Sequence, residues 1–220
     1  MNYLAHLLLS GPNLDMQVGG LLGDFVKGPL TGVYPEHIEQ GIRLHRHIDT
    51  LTARLAPVSQ LYPLFESPWR RYAGIVIDIA FDHFLALRWP HFHTQPLAQF
   101  STTFYRHLSH HRPHLPERAQ QFSDRAPQIH WLESYVDPNI MPTILDRVGE
   151  RFSRPVPLGA CWHTVQANRP CFDRAFNETM PALTLFAENF MAEYCLTRKF
   201  LRGRCLTEKC LREDCIKPAK

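Results

Sequence analysis

The segment GIRLHRHIDTLT, residues 41–52, places His45 and Asp49 four positions apart. On a helix this spacing puts an imidazole and a carboxylate on one face, about one turn apart. His47 lies two positions from each and points elsewhere. A second segment, VIDIAFDHFLAL (76–87), repeats the spacing with Asp78 and Asp82 and adds His83. Its neighbours are apolar nearly all round, so a helix here is buried, and buried carboxylates are costly unless paired or bound to metal. His83 lies about 100° further round the helix than Asp82, in reach of the same ion or in support of a ligand. Asp24 sits among Leu21, Leu22, Phe25 and Val26 in GGLLGDFVKG (19–28), and His6 sits among leucines in NYLAHLLLS (2–10).

Each residue alone has an ordinary reading. A histidine on an apolar face bonds a backbone carbonyl in the core, and a lone aspartate caps a helix. Four segments that each bury one or two such groups point further, because inward Asp and His from facing helices are how metal sites are built in helical bundles. Carboxylates with imidazole and no cysteine favour Mn²⁺ or Mg²⁺, with iron or zinc as further candidates. Such an ion polarises a phosphoryl oxygen and lowers the pKa of water. The sequence holds no nucleophile elbow, P-loop or dinucleotide-binding glycine pattern to support rival chemistry. The residues therefore point to a metal-dependent hydrolase of a phosphoester.

The elements that must position these groups read as helices throughout. Leu4, Leu7 and Leu8 mark one face of a first helix over 2–9, broken by Gly11-Pro12. A second helix is predicted over 17–27, ending near Gly28-Pro29. Pro35 is placed as a first-turn proline that opens a long helix through the quoted segment. Trp69, Tyr72, Ile75, Ile79 and Phe84 recur at helical steps, which predicts a helix over 69–88. Further helices are predicted over 95–110, 116–123, 128–135, 138–150 and 170–201, with a loop at 153–159. No internal repeat and no turn–strand rhythm is present. The expected fold is all-α, one helical-bundle domain over 1–200, followed by a polar, cysteine-bearing tail over 201–220.

Composition sets the outer limits. The 220 residues suffice for one buried core, and 45% hydrophobic with 20% charged residues is ordinary for a globular protein. No apolar run is long enough for a membrane span, and the N-terminus lacks the basic region of a signal peptide, so a cytoplasmic location is expected. A net charge of +3 is too weak to imply nucleic acid, though it suits an acidic partner if the arginines cluster. The six cysteines all lie in the last third and are expected to be free thiols; Cys205, Cys210 and Cys215 do not match a zinc-binding spacing.

MNYLAHLLLS, GGLLGDFVKG, GIRLHRHIDTLT and IDIAFDHFLALRW, in that order and spacing, resemble the acyl-carrier-protein phosphodiesterase family, closely over residues 1–90 and more loosely to about 200. That family is regarded as a distant relative of the all-helical HD-domain phosphohydrolases, so the resemblance implies an HD-domain-like fold. It implies Mn²⁺-dependent hydrolysis of the bond between 4′-phosphopantetheine and a serine of holo-acyl carrier protein, giving apo-carrier protein and 4′-phosphopantetheine. The family's patterns fall on Asn2, His6, Asp24, His45, Arg46, Asp49, Asp78, Asp82 and His83. His47 departs from them and is assigned to the surface. On this reading His6, His45, Asp49, Asp78 and Asp82 hold metal, and Asp24 is a ligand or orients water. His83 is a ligand or protonates the leaving oxygen, and Arg46, with Lys27 nearby, offsets phosphate charge. Arg43, Arg46, Arg70, Arg71 and Arg88 are candidates for drawing in an acidic carrier protein. The alternative is an HD-type hydrolase of a nucleotide or another small phosphodiester, with the same metal site and no need of a basic surface. A helical binding module without turnover is a further alternative. The sequence leaves the oligomeric state open.

Overall fold

The computed structural model describes residues 1–213, with side chains described to residue 196. All regular structure among the described residues is helical, and the chain forms one all-α domain. α1 (Tyr3–Leu9) runs to a tight turn at Gly11, and α2 (Leu14–Leu22) follows. α2 starts three residues earlier than the apolar pattern predicts, because the Asn13 side chain accepts from the amides of Asp15 and Met16 and caps the first turn. It ends earlier too, at Gly23. α3 (Glu36–Thr52) is opened by Pro35, which stands at the cap rather than inside the first turn. A short α4 (Ala56–Ser59) leads into turns of 3₁₀ helix, the second of which covers Trp69–Tyr72, so only Ala73–Leu87 of the predicted 69–88 helix is α-helical, as α5.

Beyond α5 lie α6 (Leu97–His110), α7 (Glu117–Arg125), α8 (Trp131–Ser134), α9 (Met141–Gly149) and α10 (Trp162–Ala167), the last not expected from the sequence. α11 runs from Arg169 to Glu213, past the predicted end at 201. Cys161, Cys171 and Cys195 are free thiols. The side chains of Cys205, Cys210 and Cys215 lie outside the described residues. Among the described residues no helix is long and apolar enough to cross a membrane.

α5 is the axis of the core. Val76, Ile77, Ala80, Phe81, Phe84 and Leu85 are buried on all sides, against α1, α9 and α11. Phe81 and Phe84 meet Phe176 of α11 edge to face, with centroids 5.6 and 6.0 Å apart.

The most extensive helix–helix contact among the described residues is between α2 and α3. A Cβ on Gly19 would lie 2.1 Å from the Ile38 carbonyl oxygen, and one on Gly41 would lie 2.2 Å from the Met16 carbonyl oxygen. Only glycine at both positions lets the two backbones touch. That contact sets the depth at which α3 presents its polar residues to α2.

Candidate metal centre and cleft

α3 lies so close to α2 that the His45 ring fits only because residue 23 is glycine: a Cβ there would stand 2.2 Å from the ring. Its Nδ1 donates to the Gly20 carbonyl at 2.7 Å. This bond fixes the tautomer and leaves the Nε2 lone pair facing Asp49 Oδ2 at 3.1 Å and Asp24 Oδ1 at 3.7 Å. His6, one helix away on α1, stacks on His45 with ring centroids 3.7 Å apart and places its Nε2 3.0 Å from Asp49 Oδ1. That nitrogen is also 3.1 Å from the Met1 carbonyl oxygen. Burial and the adjacent His45 ring lower the His6 pKa to about 3, so the imidazole is neutral at physiological pH. Asp49 goes the other way. Burial opposes its charge, but the contacts with His45 and His6 and the Met1 ammonium beside it hold its carboxyl well below the usual range.

Asp78 reaches the same cluster from α5. The α-ammonium of Met1 sits between Asp78 Oδ1, at 2.9 Å, and Asp49 Oδ1, at 3.3 Å. Burial disfavours that ammonium, yet Asp78 and Asp49 raise its pKa to about 10. The space between the two carboxylates therefore accommodates positive charge.

The donor set fits a divalent ion. Two imidazole nitrogens and a carboxylate face one another within bonding reach of a common point. With Nδ1 of His45 donating to Gly20, a lone pair aimed at two carboxylates is unfavourable until a cation lies between them. His45 and Asp49 of this cluster line a cleft of about 320 Å³, together with Asp24, Lys27, Arg46 and Thr50 among others. Asp24 is exposed at its mouth. Arg46 anchors one guanidinium nitrogen on the Val26 carbonyl at 2.9 Å and turns toward the same opening.

Two residues assigned to this site from the sequence lie elsewhere. Asp82 is fully buried, and its oxygens accept from the amides of Leu4, at 2.7 Å, and Ala5, at 3.0 Å. It caps the first turn of α1 from across the core, a contact no local spacing reveals. Burial pushes its carboxyl up to about 7 against the pull of those two amides. His83 is a core histidine: its Nδ1 is 2.7 Å from the Tyr135 carbonyl oxygen, and its ring meets Trp162 edge-on. One position on a helix turned it away from Asp78 and toward α8 and α10. Asn2 donates to the Tyr135 hydroxyl at 2.6 Å and lies behind the cleft. His47 is exposed beside Phe186 and Phe190, as its spacing implies. Arg88 is held by Asp173 and packs on Phe84 and Phe176, and Arg70 donates to the Phe65 carbonyl.

The sequence reading missed the Met1 ammonium, the Gly20 carbonyl and the glycines that let α2 and α3 touch. The spacing of Gly19, Gly20 and Gly23 on one helix is the signal that marked the close approach.

A family model described as acyl carrier protein phosphodiesterase matches residues 1–183. The chain is 33% identical over 199 residues to the acyl carrier protein phosphodiesterase of Photorhabdus laumondii, covering 89% of this chain and 99% of that protein. It is 31% identical over 190 residues to the protein of the same name in Klebsiella pneumoniae, covering 86% and 98%. No solved structure matches the chain.

Proposed function

The chain belongs to the acyl carrier protein phosphodiesterase family, and from that premise we propose that it is a divalent-metal-dependent enzyme that hydrolyses the 4′-phosphopantetheine–serine phosphodiester of holo-acyl carrier protein. The products are apo-carrier protein and 4′-phosphopantetheine. One observation supports this reading above the others: His45 and Asp49 line the floor of a cleft whose rim carries Lys27 and Arg46, and His6 meets both from behind.

His6, His45 and Asp49 hold the ion, with Asp78 as the further carboxylate on the Met1 side. Mn²⁺ is the ion proposed, and when bound it supplies Lewis-acid polarisation of the phosphoryl group. Gly20 keeps the His45 proton on Nδ1, so Nε2 stays free as a donor. Asp24, exposed at the mouth, is placed to take a proton from attacking water. Arg46, with one nitrogen held by Val26, has its remaining donors for a non-bridging phosphate oxygen. His83, bonded into the core, has no part in this reading.

A carrier protein is an acidic substrate, and the exposed mouth with Lys27 and Arg46 matches it in sign. Steering of this kind weakens as salt shortens the screening length, so kcat/KM falls as ionic strength rises. The deciding experiment incubates the purified chain with holo-acyl carrier protein and Mn²⁺ and reads the carrier's intact mass, with a chelator control. Loss of one phosphopantetheine group, blocked by chelation, supports the reading. An unchanged carrier mass alongside turnover of small phosphodiesters would replace it with the HD-type alternative.

A further inference from the structure

The run HLSHHRPH, residues 107–114, carries four histidines at the end of α6. His107 and His111 are four apart and share a face, while His110 is exposed on another. That shared face meets Asp15 in the first turn of α2. His107 Nε2 is 2.7 Å from Asp15 Oδ1, and His111 Nε2 is 3.1 Å from the same oxygen. The two nitrogens are 3.2 Å from each other. The three atoms make a nearly equilateral triangle.

No arrangement of protons satisfies all three edges. If both nitrogens carry a proton, two N–H groups crowd each other beside one oxygen. If either lacks one, its lone pair faces a carboxylate oxygen. A cation above the triangle makes every edge favourable. Zinc-type bonds of about 2.0–2.1 Å to nitrogen and oxygen place neighbouring ligand atoms on the order of 3 Å apart. All three side chains are a fifth to a third exposed, which leaves solvent to complete the coordination. The nearby arginine, Arg112, is held by both oxygens of Asp124, at 2.7 and 2.8 Å, so its charge is compensated.

We propose that Asp15, His107 and His111 form a second metal site, for a borderline transition ion of the zinc class, which ties the start of α2 to the end of α6. Two imidazoles with one carboxylate are the donors such ions prefer. The site is separate from the His6–His45–Asp49 cluster, and α2 links the two. Asp15 stands at one end of that helix, while Gly20 and Gly23 near the other end support His45.

The test counts Zn²⁺ per folded chain by elemental analysis after equilibrium dialysis, on the wild type and on H107A, H45A, H110A and H45A/H107A. H107A is expected to lose one equivalent that H110A keeps, with affinity at that site down by more than about tenfold to a hundredfold; H45A loses the equivalent of the first cluster instead, and H45A/H107A loses both. D15N, nearly identical in shape, serves if H107A does not fold. Ring ¹⁵N spectra of the wild-type chain give a third reading, in which zinc should move the Nε2 signals of His107 and His111. Equal zinc counts in wild type and H107A, including zero in both, would overturn the proposal, as would Nε2 signals that zinc leaves in place. None of these readings depends on turnover of a carrier protein, so failure of the phosphodiesterase reading leaves the test intact.

Discussion

The chain builds the same donor set twice, two imidazoles and one carboxylate, and surrounds it differently each time. In the first cluster the histidines come from two helices and are buried to within a few per cent, and only Asp49 meets solvent, 43% exposed. The cluster opens into a cleft whose rim holds Lys27 and Arg46. In the second, His107 lies in the last turn of α6 and His111 at its cap, all three side chains are partly exposed, and the neighbouring arginine is tied to Asp124. Donor atoms alone make a metal site. Chemistry on a phosphodiester also needs a recess for the substrate, cations to receive phosphate and ligands held from behind, and only the first cluster combines all three; the recess that His111 borders is lined by Leu22, Val33, Tyr34 and Ile38 and by no lysine or arginine. In the first cluster Gly20 fixes the His45 tautomer, and Asp82 fixes the helix that carries His6.

This contrast can be broken in order of effect. The largest difference should be in turnover. D49A is expected to lose at least about a hundredfold in rate, above the range of indirect changes around a metal, whereas H107A should stay within about threefold of wild type. Carrier-mass kinetics on both variants measure this, and equal losses would merge the two clusters into one function.

Next comes the support behind the first cluster. D82A leaves the Leu4 and Ala5 amides buried without an acceptor, which costs about 1–3 kcal/mol for each such group, visible as a lowered urea midpoint. Its metal count should not change. A lost equivalent would return Asp82 to the ligand set. G41A, whose Cβ would meet the Met16 carbonyl, should destabilise by about 1–3 kcal/mol through overpacking and should also disturb His45.

A subtler difference lies in pH. The unfolded chain protonates residue 6 near pH ~6.5, but the fold refuses that proton until about pH 3. The unfolded state then binds more protons, so His6 contributes stability above pH ~6.5 that is lost on acidification, at up to roughly 1.4 kcal/mol per pH unit. Metal-free H6N should lack this slope relative to wild type. Parallel curves for the two proteins would show that residue 6 is not held neutral by the fold.

The order of helices and the cluster on α3 were legible from the sequence because both depend on local rules. Apolar residues at helical steps define α1, α3, α5 and α6, and the four-residue spacing of His45 and Asp49 guarantees a shared face once α3 forms. Ends depended on contacts with less local signal. Asn13 moved the start of α2, and the segment 69–72 tightened into a 3₁₀ turn before α5.

Sequence by itself determined that the chain is helical and that His6, Asp24, His45, Asp49 and Asp78 are polar groups set into apolar surroundings. Tertiary structure decided which of them meet. Asp78 and Asp82 lie four apart on one apolar helix, yet Asp82 caps α1 and Asp78 faces the Met1 ammonium. The physical reason is that a helix fixes only the angle between its own side chains. What each side chain meets depends on how closely the next helix can approach, and here that distance is set by Gly19, Gly23 and Gly41, residues with no side chain of their own.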